Sequence, residues 1–91
     1  MKFMMTWKIP PTQMASAVAR FLKTGGPPPK GVKMLGRWHG AGLGFALADS
    51  KDGKALYEWI AEWSDLLEMS IQPVVEDREG ASVLRRVYKG K

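Results

Sequence analysis

Apolar and polar positions alternate from the first residues of this chain. Phe3, Met5 and Trp7 are interleaved with Lys2, Met4, Thr6 and Lys8, the two-residue period of a half-buried strand over residues 2–8. Pro10-Pro11-Thr12 interrupts that period and opens a helix, because proline is tolerated in a first turn and Thr12 is placed to cap it. Met14, Val18, Phe21 and Leu22 then recur at helical spacing, which predicts one buried stripe. Gly25-Gly26 ends this helix, and Pro27-Pro28-Pro29 prevents its continuation.

A second strand is predicted from Val32 to His39, with Val32, Met34, Gly36 and Trp38 on one side and Lys33, Leu35, Arg37 and His39 on the other. Gly40-Ala41 suits a two-residue reverse turn with glycine first, so Gly42 to Ala48 returns as a third strand. This turn pairs Trp38 with Leu43, Gly36 with Phe45 and Met34 with Leu47, all on the apolar face, and Gly36 leaves room for the Phe45 ring. Asp49 or Ser50 caps a second helix, whose stripe is Leu56, Trp59, Ile60 and Trp63. Met69, Ile71 and Val75 alternate with Ser70, Gln72 and Val74 as a fourth strand, and Pro73 marks an edge or a bulge. Val83, Leu84, Val87 and Tyr88 fit one short amphipathic helix, with a strand as the alternative.

The order strand, helix, strand, strand, helix, strand is the split βαβ plan of a ferredoxin-like α+β sandwich, a four-stranded antiparallel sheet with two helices on one face. By the alternation above, the uncovered face presents Met4, Thr6, Leu35, Arg37, His39, Gly44, Ala46, Ala48, Ser70, Gln72 and Val74. Such a surface is too apolar for a solvated face and too polar for a plain core. Either a second subunit or a ligand covers it.

Ninety-one residues suit one domain, here residues 1–77, followed by a basic tail over residues 78–91. A hydrophobic content of 45% and a charged content of 25% are ordinary for a soluble globular protein. No apolar run reaches the ~20 residues of a membrane span, and the N-terminal apolar run is too short for a secretory signal. With no cysteine in the chain there is no disulfide, no thiol nucleophile and no cysteine-ligated zinc, consistent with a reducing cytoplasm. The net charge of +5 sits partly in Arg78, Arg85, Arg86, Lys89 and Lys91, where its simplest effect is solubility. No metal site and no cofactor site is expected: Glu76-Asp77-Arg78-Glu79 lacks the spacing of a calcium loop, and Gly25-Gly26 lacks the lysine-serine pair of a phosphate loop.

Four ordered motifs carry a family resemblance. Met1-Lys2-Phe3-Met4-Met5-Thr6-Trp7, Gly26-Pro27-Pro28-Pro29-Lys30-Gly31-Val32-Lys33, Leu35-Gly36-Arg37-Trp38-His39 and Glu62-Trp63-Ser64-Asp65-Leu66-Leu67-Glu68 together resemble a bacterial family known as domain of unknown function 3303. The resemblance runs from about Met1 to Asp77. It implies a βαββαβ fold similar to dimeric α+β barrels, in which two sheets face each other across a homodimer. It brings no activity and no catalytic residue.

The candidate chemistry is sparse. His39 is the only histidine, and beside Arg37 it is a general base, an anion partner or a haem ligand, or else a histidine that orders a strand end. Arg37 and Gln72 suit a carboxylate or phosphate, with Thr6 and Ser70 adding hydroxyls, or form a polar layer between subunits. Trp59 and Trp63 read as helix core, as do Trp7 and Trp38 on the strands. Gly42-Leu43-Gly44-Phe45-Ala46-Leu47 loosely matches an RNA-recognition signature. Leu43 stands where that signature needs an aromatic, and Phe45 is expected to point towards the helices. The expectation is therefore a cytoplasmic homodimer that binds a small organic or anionic ligand between its sheet faces, near His39, Arg37, Gln72, Thr6 and Ser70. The alternatives are a cofactor-independent enzyme in that cavity and, further off, a nucleic-acid module. A membrane partner is not expected.

Overall fold

The computed structural model describes residues 1–90. Strand β1 (Lys2–Lys8) leads through a single 3-10 turn (Pro11–Gln13) into α1 (Met14–Thr24). A hairpin of β2 (Val32–Gly40) and β3 (Leu43–Ser50) follows, then α2 (Gly53–Trp63), β4 (Glu68–Val74) and α3 (Asp77–Val87). The four strands form one antiparallel sheet in the order β2-β3-β1-β4, the ferredoxin-like arrangement. Strand β4 pairs only with β1, so Pro73, which has no N–H to give to a ladder, sits where a strand tolerates it.

The core lies between the sheet and its helical layer. Met5 from β1, Ala46 and Ala48 from β3, and Ala55, Leu56 and Trp59 from α2 are buried there together with Val32, while Ala17 is the buried residue of α1. Phe3, Trp7, Met34, Ile60, Trp63, Met69 and Ile71 pack around that centre. Trp59 and the strand-1 stripe thus lie where the sequence pattern puts them. The α1 stripe is narrower than expected, since Leu22 is exposed and Val18 nearly half so.

Two capping assignments change. Helix α1 starts at Met14 behind the 3-10 turn that contains Thr12, and its N-cap, Gln13, makes no side-chain cap bond. Helix α2 is capped by Asp52, whose Oδ1 accepts from the Lys54 and Ala55 N–H groups at 3.0 and 3.4 Å. Ser50 instead braces the approach: its Oγ accepts from the Asp52 N–H at 3.0 Å and donates to the Gly31 carbonyl at 2.8 Å.

The larger change is in the hairpin. Its turn residues are Ala41 and Gly42, the latter at φ 72°, so Gly40 pairs with Leu43, Trp38 with Phe45 and Gly36 with Leu47. The β2–β3 register also slips between Met34 and Gly36, a bulge at Leu35 that reverses the alternation of everything after it. Val32 and Met34 stay on the helix side, whereas Gly36 and Trp38 turn to the uncovered side. On β3, Gly44, Ala46 and Ala48 face the helices, opposite Trp7, Met5 and Phe3, and Phe45 and Leu47 face away.

Helix α3 is the expected amphipathic element, beginning earlier, at Asp77. None of its residues is buried. The described chain measures 51 × 28 × 19 Å. A nine-residue β2 accounts for only ~30 Å of the long dimension, and the eleven residues of α3 add ~16 Å. An outlying helix with no buried residue accords with that length. The radius of gyration, 15.5 Å, exceeds the ~12 Å of a compact chain of this length for the same reason.

Candidate functional site

Arg37 pairs with Ala46 and His39 with Gly44, and those partners pair in turn with Met5 and Trp7. Residues directly opposite one another in a sheet share a face. Both candidates therefore point towards the helices, not to the uncovered face where the alternation of β2 placed them. Thr6 pairs with Ser70, and Met4 with Gln72, so Thr6, Ser70 and Gln72 stay on the uncovered face as expected. The five candidates do not form one site. The sheet separates Arg37 and His39 from the other three.

What surrounds Arg37 and His39 is a partly open cavity of ≈ 130 Å³ between the sheet and α1 and α2. Its walls are Met5, Trp7 and Ile9 from the β1 end, Ala17, Val18 and Phe21 from α1, Trp59 and Trp63 from α2, and Leu67 and Met69 at the start of β4. Arg37 and His39 are its polar side chains, apart from the Trp indole N–H groups.

Local folding explains how Arg37 is held. Helix α1 ends at Gly25, whose N–H bonds to the Phe21 carbonyl at 2.7 Å, and the turn leaves the Gly25 and Gly26 carbonyls without helical donors. Arg37 supplies them. Its Nη1 donates to the Gly26 carbonyl at 2.6 Å and its Nη2 to the Gly25 carbonyl at 2.9 Å. The guanidinium lies 5.0 Å over the Phe21 ring, within cation–π range. No carboxylate of the described residues pairs with it. Burial pulls its pKa below the ordinary value, yet it stays a cation at neutral pH because an arginine is not deprotonated in proteins. Among the described residues these bonds use two of its five N–H groups.

His39 stands at the rim, itself exposed. Its ring meets Phe21 edge-on at 5.1 Å and Trp7 at 6.3 Å. The arrangement puts a rotatable donor or acceptor at the mouth of an aromatic slot whose inner wall carries a fixed positive charge. Such a slot can take a flat apolar body with an anionic or hydrogen-bond-accepting group.

Sequence reasoning missed Phe21, Trp7, Trp63, Ile9 and Met69 as residues of this cavity, having assigned the aromatics among them to the core. One available signal was Gly36. A glycine inside a strand pattern marks a bulge, and a bulge there sends Arg37 and His39 to the helix side. The second signal was Gly44. An added Cβ at that position would strike the Trp7 indole, so the ring lies across β3 and forms the wall beside His39. Gly36 makes room for the Trp38 ring, whose nearest atom would lie 2.6 Å from an added Cβ, and not for Phe45.

The uncovered face has its own character. Trp38 is 53% exposed and Phe45 40%, with ring centroids 5.9 Å apart. The expectation that Trp38 is core and that Phe45 points to the helices is thus reversed. The charged residues there alternate in sign: Lys33 and Lys2 flank Asp49, and Lys8 lies beside Glu68. That is not the basic stripe of a nucleic-acid surface. Among the described residues, no group of three or more His, Cys, Asp or Glu side chains is placed to hold a metal ion, and no helix is long and apolar enough to cross a membrane.

A four-stranded antiparallel sheet with two helices over one face, enclosing an apolar cleft with one buried-side arginine, defines a small ferredoxin-like α+β protein. The chain belongs to the family catalogued as domain of unknown function DUF3303, whose sequence pattern matches residues 1–88, so that α3 is included along with the four motifs. No curated protein matches the chain. Among solved structures, the crystal structure of MupZ from Pseudomonas fluorescens is similar at 15% identity, over 97% of this chain and 83% of that one, with a TM-score of 0.45.

Proposed function

We propose that this protein binds a small aromatic anion, of single-ring size, in the cleft between the sheet and helices α1 and α2. The observation that carries the reading is Arg37: a half-buried cation with no carboxylate partner among the described residues, facing a cavity otherwise walled by apolar and aromatic side chains. The size agrees, since an engineered apolar cavity of about 150 Å³ takes up benzene. Few convergent polar groups in an apolar pocket are the usual composition of a ligand site. Among the described residues no side chain hydrogen-bonds to His39 to orient it as a base, which favours a binding role over proton transfer.

Benzoate is the test ligand. Because Trp7, Trp59 and Trp63 line the cleft, binding should give a saturable change in tryptophan fluorescence. Arg37→Gln should weaken benzoate about tenfold, a loss of ~1.4 kcal/mol, while leaving benzyl alcohol, the neutral analogue, within about twofold. Absence of a saturable response to either compound would overturn the cleft as a site. Equal weakening of both would overturn the anion preference.

A further inference from the structure

Helix α3 and the uncovered sheet face are each amphipathic, no other element among the described residues covers either of them, and neither belongs to the cleft. On α3, Val83, Leu84 and Val87 form one stripe, all between 43% and 57% exposed, with Arg78, Glu79, Arg85 and Arg86 on the remaining surface. On the sheet, Trp38, Phe45 and Leu43 gather on the β2–β3 half, while Ser70, Gln72 and Glu68 make the β4 half polar. We infer that α3 is an interchain arm: its apolar stripe seats on the Trp38–Phe45 half of the sheet in a second copy of this chain, and the second copy's arm does the same in return.

Three observations select a second copy as the occupant. The chain is long in one dimension and no residue of the arm is buried, so its apolar stripe is left open to a partner. The areas fit: the six apolar residues named expose on the order of 500 Å² per chain, and a reciprocal contact doubles that to about 1,000 Å², the lower bound for a specific interface. The charges are self-complementary. The first turn of α3 carries Asp77 and Glu79 and the last turn Arg85 and Arg86. A two-fold axis perpendicular to the arms runs them antiparallel, acidic end to basic end, whereas an axis along them would set like charges together. The alternating charges on the sheet argue against a nucleic acid as its cover.

Sedimentation velocity of the full chain between about 5 and 500 μM tests the arm. A concentration-dependent dimer is expected. Leu84→Glu and Val87→Glu lie on an exposed helix and should leave the circular dichroism spectrum unchanged while raising the dimer dissociation constant at least tenfold. The face variant Trp38→Ser/Phe45→Ser should do likewise. Reversing all four arm charges together (Asp77→Lys, Glu79→Lys, Arg85→Glu, Arg86→Glu) should retain the dimer that Arg85→Glu/Arg86→Glu alone weakens. A chain that stays monomeric throughout that range, including one that instead binds an RNA oligonucleotide through Trp38, overturns the inference. So does a dimer indifferent to the arm or to the face variants.

Discussion

Trp7 lies across β3 because residue 44 has no side chain, and that one contact shapes the cleft wall beside His39. Gly44→Ala has no strand-compatible way to keep the ring in place. The indole must rotate out or the strands must part, and overpacking of this kind costs ~1–3 kcal/mol. The expected outcome is a fall in the urea midpoint together with loss of the benzoate fluorescence response. An alanine variant with the parent's midpoint and response would show that the ring has room to spare. Gly36 offers the contrast: its Cβ would meet the tip of an exposed indole, a flexible neighbour free to swing into solvent. Gly36→Ala should therefore disturb the uncovered face and leave the cleft intact, a difference that benzoate titration separates from Gly44→Ala.

At the scale of elements, α2 supplies Leu56 and Trp59 to the core and Trp63 to the cleft, and its start rests on Asp52. Asp52→Ala removes the acceptor for two N–H groups, which typically costs about 1 kcal/mol. For a chain of this size that corresponds to a drop of roughly 4–8 °C in Tm, read by thermal denaturation, and an unchanged Tm would mean the first turn is held by packing alone. The element order and the helix-facing stripe of β1 were legible in the sequence, because apolar periodicity with proline and glycine punctuation records them directly. The hairpin faces were not. On β3 both alternating sets are apolar: Leu43, Phe45 and Leu47 against Gly44, Ala46 and Ala48. Preferring the larger set for the core is natural and wrong here, since the alanines, 0% exposed at Ala46 and Ala48, let α2 bring Trp59 down onto the sheet. The bulge at Leu35 completed the reversal. A single extra residue is invisible to a two-residue period, yet it carried Arg37 and His39 through the sheet. Candidate residue types could thus be picked out by chemistry, while their grouping with Thr6, Ser70 and Gln72 depended on a register that alternation alone does not encode.

At the scale of the whole molecule, three surface ion pairs among the described residues tie distant parts of the chain. The N-terminal amine meets Asp49 at 2.9 Å, Lys2 meets Glu76 at 2.7 Å, and Arg20 meets Asp65 at 2.6 Å. The last is the best formed: both Asp65 oxygens are engaged, Arg20 also donates to the Glu62 carbonyl, and its guanidinium lies 5.3 Å over Trp63, so it clasps α1 to the end of α2 around the cleft. The Arg20 hydrogen bond holds the Asp65 pKa below its ordinary 3.8, the terminal amine does the same for Asp49, and Lys2 holds Glu76 below its ordinary 4.5. A carboxylate with a depressed folded pKa binds fewer protons folded than unfolded. Its contribution is complete above the unfolded value and is lost as pH falls through the folded one. On the other side of the pairs, the Lys2 and Arg20 pKa values are raised by the same contacts, so their share is complete below their ordinary values and fades only in strong alkali. Stability from the Lys2–Glu76 and Arg20–Asp65 pairs is therefore flat across neutral pH, and that from the three carboxylates declines below about pH 4. Each pair is solvent-exposed, which keeps its worth small and sensitive to salt. Urea midpoints measured from pH 7 down to pH 3 should fall less steeply in Asp65→Asn than in the parent, with the two curves converging at the acid end. Parallel curves would mean that Arg20 gains nothing from Asp65 on folding. Then the closure of α1 over the cleft would rest on Phe21, Arg37 and the Gly25-Gly26 carbonyls alone.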